Sequence, residues 1–242
     1  MRTCPREHWG VFARPLSALG LVVLAFGAAS ANSARIDLLG SKSSTTTGDV
    51  IVEKTGWSQV FQGGPTFSVY SWGVVIANRS PALDAVGVTV TVDIYAGKVL
   101  GEVDGRDYTI AAIPAGRRFY VGEHALLVRS NMRITRINAT VRVRAMQPKR
   151  RLLPLISSIR LDKPNYEATA EMTNPYSTPL KLARATGYVV FFDRNGRVIG
   201  GNKNRLGKGR GTLASGRRLR LGFNIEGVSI THIARAEVSV NP

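Results

Sequence analysis

Seven basic side chains crowd into the eighteen residues 203–220: Lys203, Arg205, Lys208, Arg210, Arg217, Arg218 and Arg220, with no Asp or Glu among them. Positive charge at that density attracts phosphate, sulfate and carboxylate groups. Binding of a polyanion releases its counterions, so such contacts weaken with salt. The run Gly207-Lys208-Gly209-Arg210-Gly211 reads as a loop whose glycines let the cations follow an anionic chain. It is not a phosphate loop of the nucleotide-binding kind, because the order G-x-x-x-x-G-K-[ST] is absent. No aromatic side chain interleaves with the bases, which removes the stacking platform of single-stranded nucleic-acid binders. No specific nucleic-acid partner is therefore expected. The expected partner is an anionic cell-surface polymer or acidic glycan, with an anionic membrane surface served equally and a solvated charged hairpin as the plain alternative.

Other chemistry is sparse. His124 and His232 lack a surrounding motif, and neither G-x-S-x-G nor S-x-x-K occurs. A hydrolase built on one of these histidines is the remote reading, and no catalytic residue is assigned. Asp193-Arg194-Asn195-Gly196 opens like a calcium loop, but its fifth position would be Arg197 and its twelfth Asn204, so the EF-hand pattern fails. Glu102, Asp104 and Asp107 around a turn at Gly105 could hold calcium or form a solvated acidic turn. No metal site and no cofactor are assigned. Asn78-Arg79-Ser80 and Asn138-Ala139-Thr140 match the glycosylation sequon, which matters only in a eukaryotic secretory path.

The elements that would carry these residues are strands. Val189–Phe192 and Val198–Ile199 flank Asp193-Arg194-Asn195-Gly196, a hairpin whose Asn and Gly tolerate positive φ. An earlier echo runs from Val90 to Gly101, with Ala96-Gly97 at the turn. Gly101 and Gly200 after it suggest a strand end or bulge. Tyr70, Trp72, Val74 and Ile76 alternate with Ser71, Gly73, Val75 and Ala77. Val86, Val88, Val90 and Val92 alternate with Thr89, Thr91 and Asp93, and Ile137, Ala139, Val141 and Val143 with polar residues. Period two predicts strands with one face on a core. Val50–Val52 reads as a short first strand with Trp57–Phe61 packed across it, and Gly63-Gly64-Pro65 as a loop. Tyr108–Ile113, Arg117–Val121 and Ala125–Val128 continue the series.

The unit then repeats. Tyr166, Ala168, Ala170 and Met172 follow Tyr70, Trp72, Val74 and Ile76 at an offset of 96. Asn174-Pro175-Tyr176-Ser177 answers Asn78-Arg79-Ser80. Ser215-Gly216-Arg217-Arg218 answers Ala115-Gly116-Arg117-Arg118 at an offset of 100, and Ala234, Ala236, Val238 and Val240 answer Ile137, Ala139, Val141 and Val143 at 97. Near-constant offsets mark an internal repeat. About seven strands per copy predict a β-sandwich in each.

The order of these segments resembles the FxLYD domain, an immunoglobulin-like sandwich of bacterial exported proteins. The resemblance covers most of 50–145 and 158–242. The second copy fits the hairpin best through Phe191-Phe192-Asp193, whereas Asp93-Ile94-Tyr95 departs from it. The resemblance implies a fold and no functional residue.

Export is expected from the other end. Arg2, Arg6 and Arg14 precede an apolar stretch, Leu16–Phe26, and Ala29-Ser30-Ala31 has the form of a cleavage site. The expectation is a signal peptide cleaved after Ala31, an uncleaved anchor being the alternative, and no membrane span in the mature chain. The single cysteine, Cys4, would leave with it, so disulfides and thiol chemistry are not expected. Thirty basic against fifteen acidic side chains would remain, a net +15. Residues 148–242 carry seventeen bases and six acids, residues 50–147 eleven and seven, so the charge lies mainly in the second copy.

The expected organisation is all-β: signal peptide 1–31, flexible lead-in 32–49, a first immunoglobulin-like sandwich 50–147, a linker 148–157 and a second sandwich 158–242. The expected role is that of a secreted or envelope-associated, non-enzymatic, structural or adhesive module that binds an anionic surface polymer through the basic second domain. The alternative is a protein-interaction module that engages another envelope protein through sandwich edges or loops.

Overall fold

The computed structural model describes residues 48–61, 68–96, 101–127, 133–149, 152–207 and 211–242, apart from the side chains of 101–105 and 127. The expected signal peptide, the lead-in up to residue 47, the Gly63-Gly64-Pro65 loop, Gly97, and two of the seven candidate cations, Lys208 and Arg210, lie outside the described residues.

Among the described residues there are fourteen strands and two one-turn 3-10 helices. In chain order the strands are β1 (Val50–Phe61), β2 (Ser68–Asn78), β3 (Leu83–Ala96), β4 (Gly101–Ile113), β5 (Arg118–Leu127), β6 (Ile134–Pro148), β7 (Leu155–Asp162), β8 (Glu167–Thr173), β9 (Leu180–Lys181), β10 (Thr186–Phe192), β11 (Val198–Arg205), β12 (Thr212–Leu213), β13 (Arg218–Asn224) and β14 (Arg235–Asn241). The chain is thus all-β, and every pairing is antiparallel. Among the described residues no helix is long and apolar enough to cross a membrane.

Strands pair only within their own half. The first half has sheets ordered β1-β2-β5 and β4-β3-β6; the second has β13-β8-β7, β11-β10-β14 and the short pair β12-β9. Alternation explains the first core. Val88, Val90, Val92 and Ile94 of β3 are buried, whereas Thr89, Thr91 and Asp93 between them are half-buried. They meet Trp72 and Ile76 of β2, Phe119 of β5 and Ile110 of β4. In the second half Met172, Phe191, Ile199 and Phe223 fill the equivalent space.

The repeat is visible at the atomic level. The buried Asn78 amide donates to Leu83 O at 2.8 Å and Ile113 O at 2.9 Å. Asn174 donates to Thr178 O at 3.0 Å and Leu213 O at 2.8 Å. Each side-chain oxygen accepts an N–H two residues on, from Ser80 and from Tyr176. Each closing turn has a glycine in the left-handed region, Gly116 at φ +68° and Gly216 at φ +67°.

A third interface joins the halves. The sheet β1-β2-β5 is buried on both faces, because β11 and β10 lie across its outer side. Three glycines, Gly56, Gly73 and Gly122, stand in register across that sheet. A Cβ on Gly56 would lie 1.9 Å from the Val198 carbonyl oxygen, and one on Gly122 would lie 2.4 Å from that of Val189. The missing side chains let two backbones approach to a distance no other residue permits. Ser71 Oγ ties the interface by donating to Gly201 O at 2.7 Å and accepting from Gly201 N at 2.8 Å. Val75, Val190, Phe192 and Val198 form its apolar part.

Several expected boundaries differ. Val50–Val52 and Trp57–Phe61 are one strand, β1, interrupted by an irregularity between Val52 and Lys54. Arg118–Val121 and Ala125–Leu127 likewise belong to one strand, β5, paired with β2 throughout, while Arg117 closes the turn before it and Val128 lies outside the described residues. Gly105 is not a turn; it lies inside β4 opposite Asp93. Tyr166 leaves the alternation expected of it: at φ 52° and 59% exposure it closes the turn before β8, donating its N–H to Lys163 O at 3.2 Å. The segment expected to link the copies is partly strand, with β6 running to Pro148 and β7 starting at Leu155. Gly101 opens β4, and Gly200 follows the irregularity at which the β10-β11 ladder skips Ile199.

Candidate anion-binding cleft

β4 in the first half and β10 and β11 in the second line an open cleft of about 450 Å³, which Glu123 of β5 approaches from behind through Arg106 and Lys203. Alternation on each strand aims the side chains. Phe119, Val121 and Glu123 share the core-facing row of β5, so Glu123 points inward from the middle of the strand and is only 6% exposed. A buried carboxylate requires donors. Glu123 has three: the Arg106 guanidinium, the Tyr108 hydroxyl and Lys203, whose Nζ lies 2.7 Å from Oε1. Lys203 also sits 5.6 Å from the Tyr108 ring centre. Tyr108 packs edge-on against Trp72 and Tyr188.

Tyr188 comes from the second half but inserts among first-half core residues beside Tyr108 and Phe119. Burial, and then the Glu123 charge, push its phenol up to about 12. The ring is neutral at any physiological pH. Its hydroxyl has no hydrogen-bond partner among the described residues, although the residue is 6% exposed and lines the cleft.

The seven candidate cations divide. Lys203 and Arg205, two apart on β11, line the cleft with Arg106 and with one acid, Asp107, so three cations face one carboxylate there. Arg218 and Arg220 lie on β13, in a different sheet, and Arg217 closes the turn before it. Lys203 is held by Glu123, and Arg218 lies 3.6 Å from Glu171. Arg205, Arg217 and Arg220 are exposed and have no carboxylate partner among the described residues. The single basic run is therefore divided between two sheets, whose strands β11 and β13 are joined by the Asn202 and Asn204 amides donating to Asn224 O and Gly222 O.

Sequence reasoning missed Arg106, Glu123 and Tyr188. A signal existed for Glu123: a lone acid on the row occupied by Phe119 and Val121 must find a cation. Nothing local marks Tyr188 or Arg106, which reach the cleft only through the packing of one half on the other.

The histidines occupy unrelated places. His124 Nδ1 lies 2.9 Å from Asn202 Oδ1, and Nε2 lies 3.1 Å from Glu226 Oε2, so the ring bridges the two halves. His232 sits exposed in the 3-10 turn Ile230–His232. Among the described residues neither histidine hydrogen-bonds a hydroxyl, and no group of three His, Asp or Glu side chains converges as a metal ion would need. Asp107 accepts from Thr91 Oγ1 at 2.6 Å. The side chains of Glu102 and Asp104 lie outside the described residues.

No protein-family model and no curated protein matches the chain. Among solved structures it is similar to red sea bream transglutaminase, with a TM-score of 0.20 and 14% identity over 71% of this chain and 26% of that one. A likeness so low carries no argument about activity.

Proposed function

We propose that this chain is an exported, non-enzymatic module of two tandem immunoglobulin-like sandwiches of the FxLYD kind, which holds an anionic polymer at the cell surface. The observation that carries this reading is the set of three exposed guanidiniums, Arg205, Arg217 and Arg220, that have no acid to neutralise them among the described residues. Unpaired guanidiniums are weakly hydrated forks suited to sulfate, phosphate and carboxylate. The excess of bases in the second half supports the same reading. The envelope location rests on the signal peptide expected from residues 1–31.

The test is binding of the purified chain to washed envelope and to soluble polyanions across a salt series, beside a variant carrying Arg205→Gln, Arg217→Gln and Arg220→Gln. Affinity should fall steeply with salt, and the slope of log K against log salt should drop by roughly two to three in the variant, about one unit per lost contact. Salt-insensitive binding that the variant retains would move the search to a protein partner.

A further inference from the structure

The cleft differs from a merely basic surface in three ways. First, it is a concavity, and at about 450 Å³ it falls within the ~300–1,000 Å³ range of small-ligand sites. Second, its cations are arranged by function. Arg106 and Lys203 are pinned by the buried Glu123, so their positions are fixed before any ligand arrives, while Arg205 beside them is unpaired among the described residues. The first two form a rigid wall and the third has its full charge to give. Third, the cleft is lined by a polar group without a hydrogen-bond partner among the described residues, the hydroxyl of the largely buried Tyr188. A buried hydroxyl left unpaired costs stability. One that lines an open cleft is available to a ligand or to water.

Those features specify a ligand. It has an oxyanion for Arg205 and hydroxyls for Tyr188 and the neighbouring Thr186. It is not a nucleobase, because the Tyr108 and Tyr188 rings are buried at 6% exposure each and offer no open stacking face. We propose that the cleft is a receptor for one acidic sugar unit, whose carboxylate, sulfate or phosphate is held by Arg205 beside Arg106 and Lys203 while a ring hydroxyl meets Tyr188. This deepens the polymer-binding reading and rests on it for biological sense. It also separates two duties: the cleft would choose the sugar, and Arg217 and Arg220, on another sheet, would add charge that any polyanion satisfies.

The experiment is an NMR titration of the purified full chain with glucuronate, glucose 6-sulfate, glucose 6-phosphate, glucose and inorganic phosphate. The three charged sugars identify which oxyanion is preferred. At least one should bind about tenfold tighter than either glucose or inorganic phosphate, with shifts centred on residues 186–188 and 203–205. Arg205→Gln should weaken it about tenfold, as expected for loss of a charge-assisted contact. Tyr188→Phe, which keeps the packing, should weaken it several-fold and leave inorganic phosphate unchanged. Arg217→Gln with Arg220→Gln should leave the sugar titration unaltered and lower polymer binding. Charged sugars that bind no better than inorganic phosphate, or binding indifferent to both Arg205→Gln and Tyr188→Phe, would overturn the cleft. If the Arg217 and Arg220 changes still lower polymer binding, the polymer reading survives without it. Selective sugar binding beside salt-insensitive envelope binding would instead leave the cleft standing and remove the electrostatic polymer reading.

Discussion

The two halves have the same strand order yet use matching faces in opposite ways. The outward row of β2 is Ser71, Gly73, Val75 and Ala77; 96 residues later the outward row of β8 is Glu167, Thr169, Glu171 and Thr173. On β5, Tyr120, Gly122 and His124 correspond to Arg220, Gly222 and Asn224 of β13 at an offset of 100. The first set lies beneath β10 and β11, while most of the second reaches water. Small and apolar residues mark the covered face, charged ones the free face. The mate of the covered sheet is β11-β10-β14, whose central strand is likewise buried on both faces through Tyr188, Val190 and Phe192. Each half therefore contributes a different sheet to the joint, so the copies stack head to tail rather than face to face as equals.

The sharpest way to break this contrast is one substitution made twice. A Cβ on Gly122 would meet the Val189 carbonyl oxygen at 2.4 Å, a backbone atom that cannot turn aside. A Cβ on Gly222 would meet Glu167 Oε1 at the same 2.4 Å, but that is the end of a flexible side chain. Gly122→Val should cost about 3 kcal/mol, the upper end of overpacking, and Gly222→Val less than about 1 kcal/mol. Chemical denaturation measures both. Equal costs would mean that the joint between the halves is not the rigid contact described.

The Asn clamps test the other side of the comparison, where the halves agree. Asn78→Ala and Asn174→Ala each strand two carbonyls and a backbone N–H that the amide satisfied. Each should lose about 2 kcal/mol in urea unfolding. A loss confined to one clamp would show that the repeat is alike in shape and not in energetics.

These contrasts explain what was legible in the sequence. Alternation in β2, β3 and β6 depends on neighbours two residues apart, and the Asn-to-Asn offset is a property of the chain itself, so the strands and the repeat could be read directly. The glycine row could not. Gly56, Gly73 and Gly122 are far apart in sequence and become a row only through strand register. Tyr166 misled because its parity fits β8, whereas the chain needs it as the last residue of a turn. The basic run suggested one surface because proximity along the chain stood in for membership of one sheet. β11 and β13 belong to different sheets, so Lys203 and Arg205 part from Arg218 and Arg220.

Tyr188 offers a titration of the joint. Its phenol is raised from 10.0 to about 12, so folded protein keeps a proton that unfolded chain gives up above pH 10. The unfolded state then binds fewer protons, and stability falls as pH rises from 10 through 12. The loss should reach at most about 3 kcal/mol, given that one unit is 1.36 kcal/mol. Tyr188→Phe should shrink this alkaline slope in a denaturation series, leaving the part that Tyr120, also raised by burial, contributes. A slope unchanged in the variant would assign the whole effect to another group.

The smallest effect concerns equivalent arginines. Arg118 forms a bidentate pair with Glu53, Nε to Oε2 at 2.5 Å and Nη2 to Oε1 at 2.8 Å. Arg218, 100 residues on, reaches Glu171 only at 3.6 Å. The Arg118 hydrogen bonds hold the Glu53 carboxyl below its usual 4.5. A depressed folded value means that the pair's contribution is complete above pH 4.5 and disappears as pH falls through the folded value. Because the Arg118 side chain is 57% exposed, solvent screening keeps the contribution below about 1 kcal/mol. Glu53→Gln should flatten the acid limb of the stability profile by that amount, and Glu171→Gln should leave it unchanged. An equal response from both would mean that the fork geometry adds nothing to the looser contact. That electrostatic difference between the two arginines would then vanish.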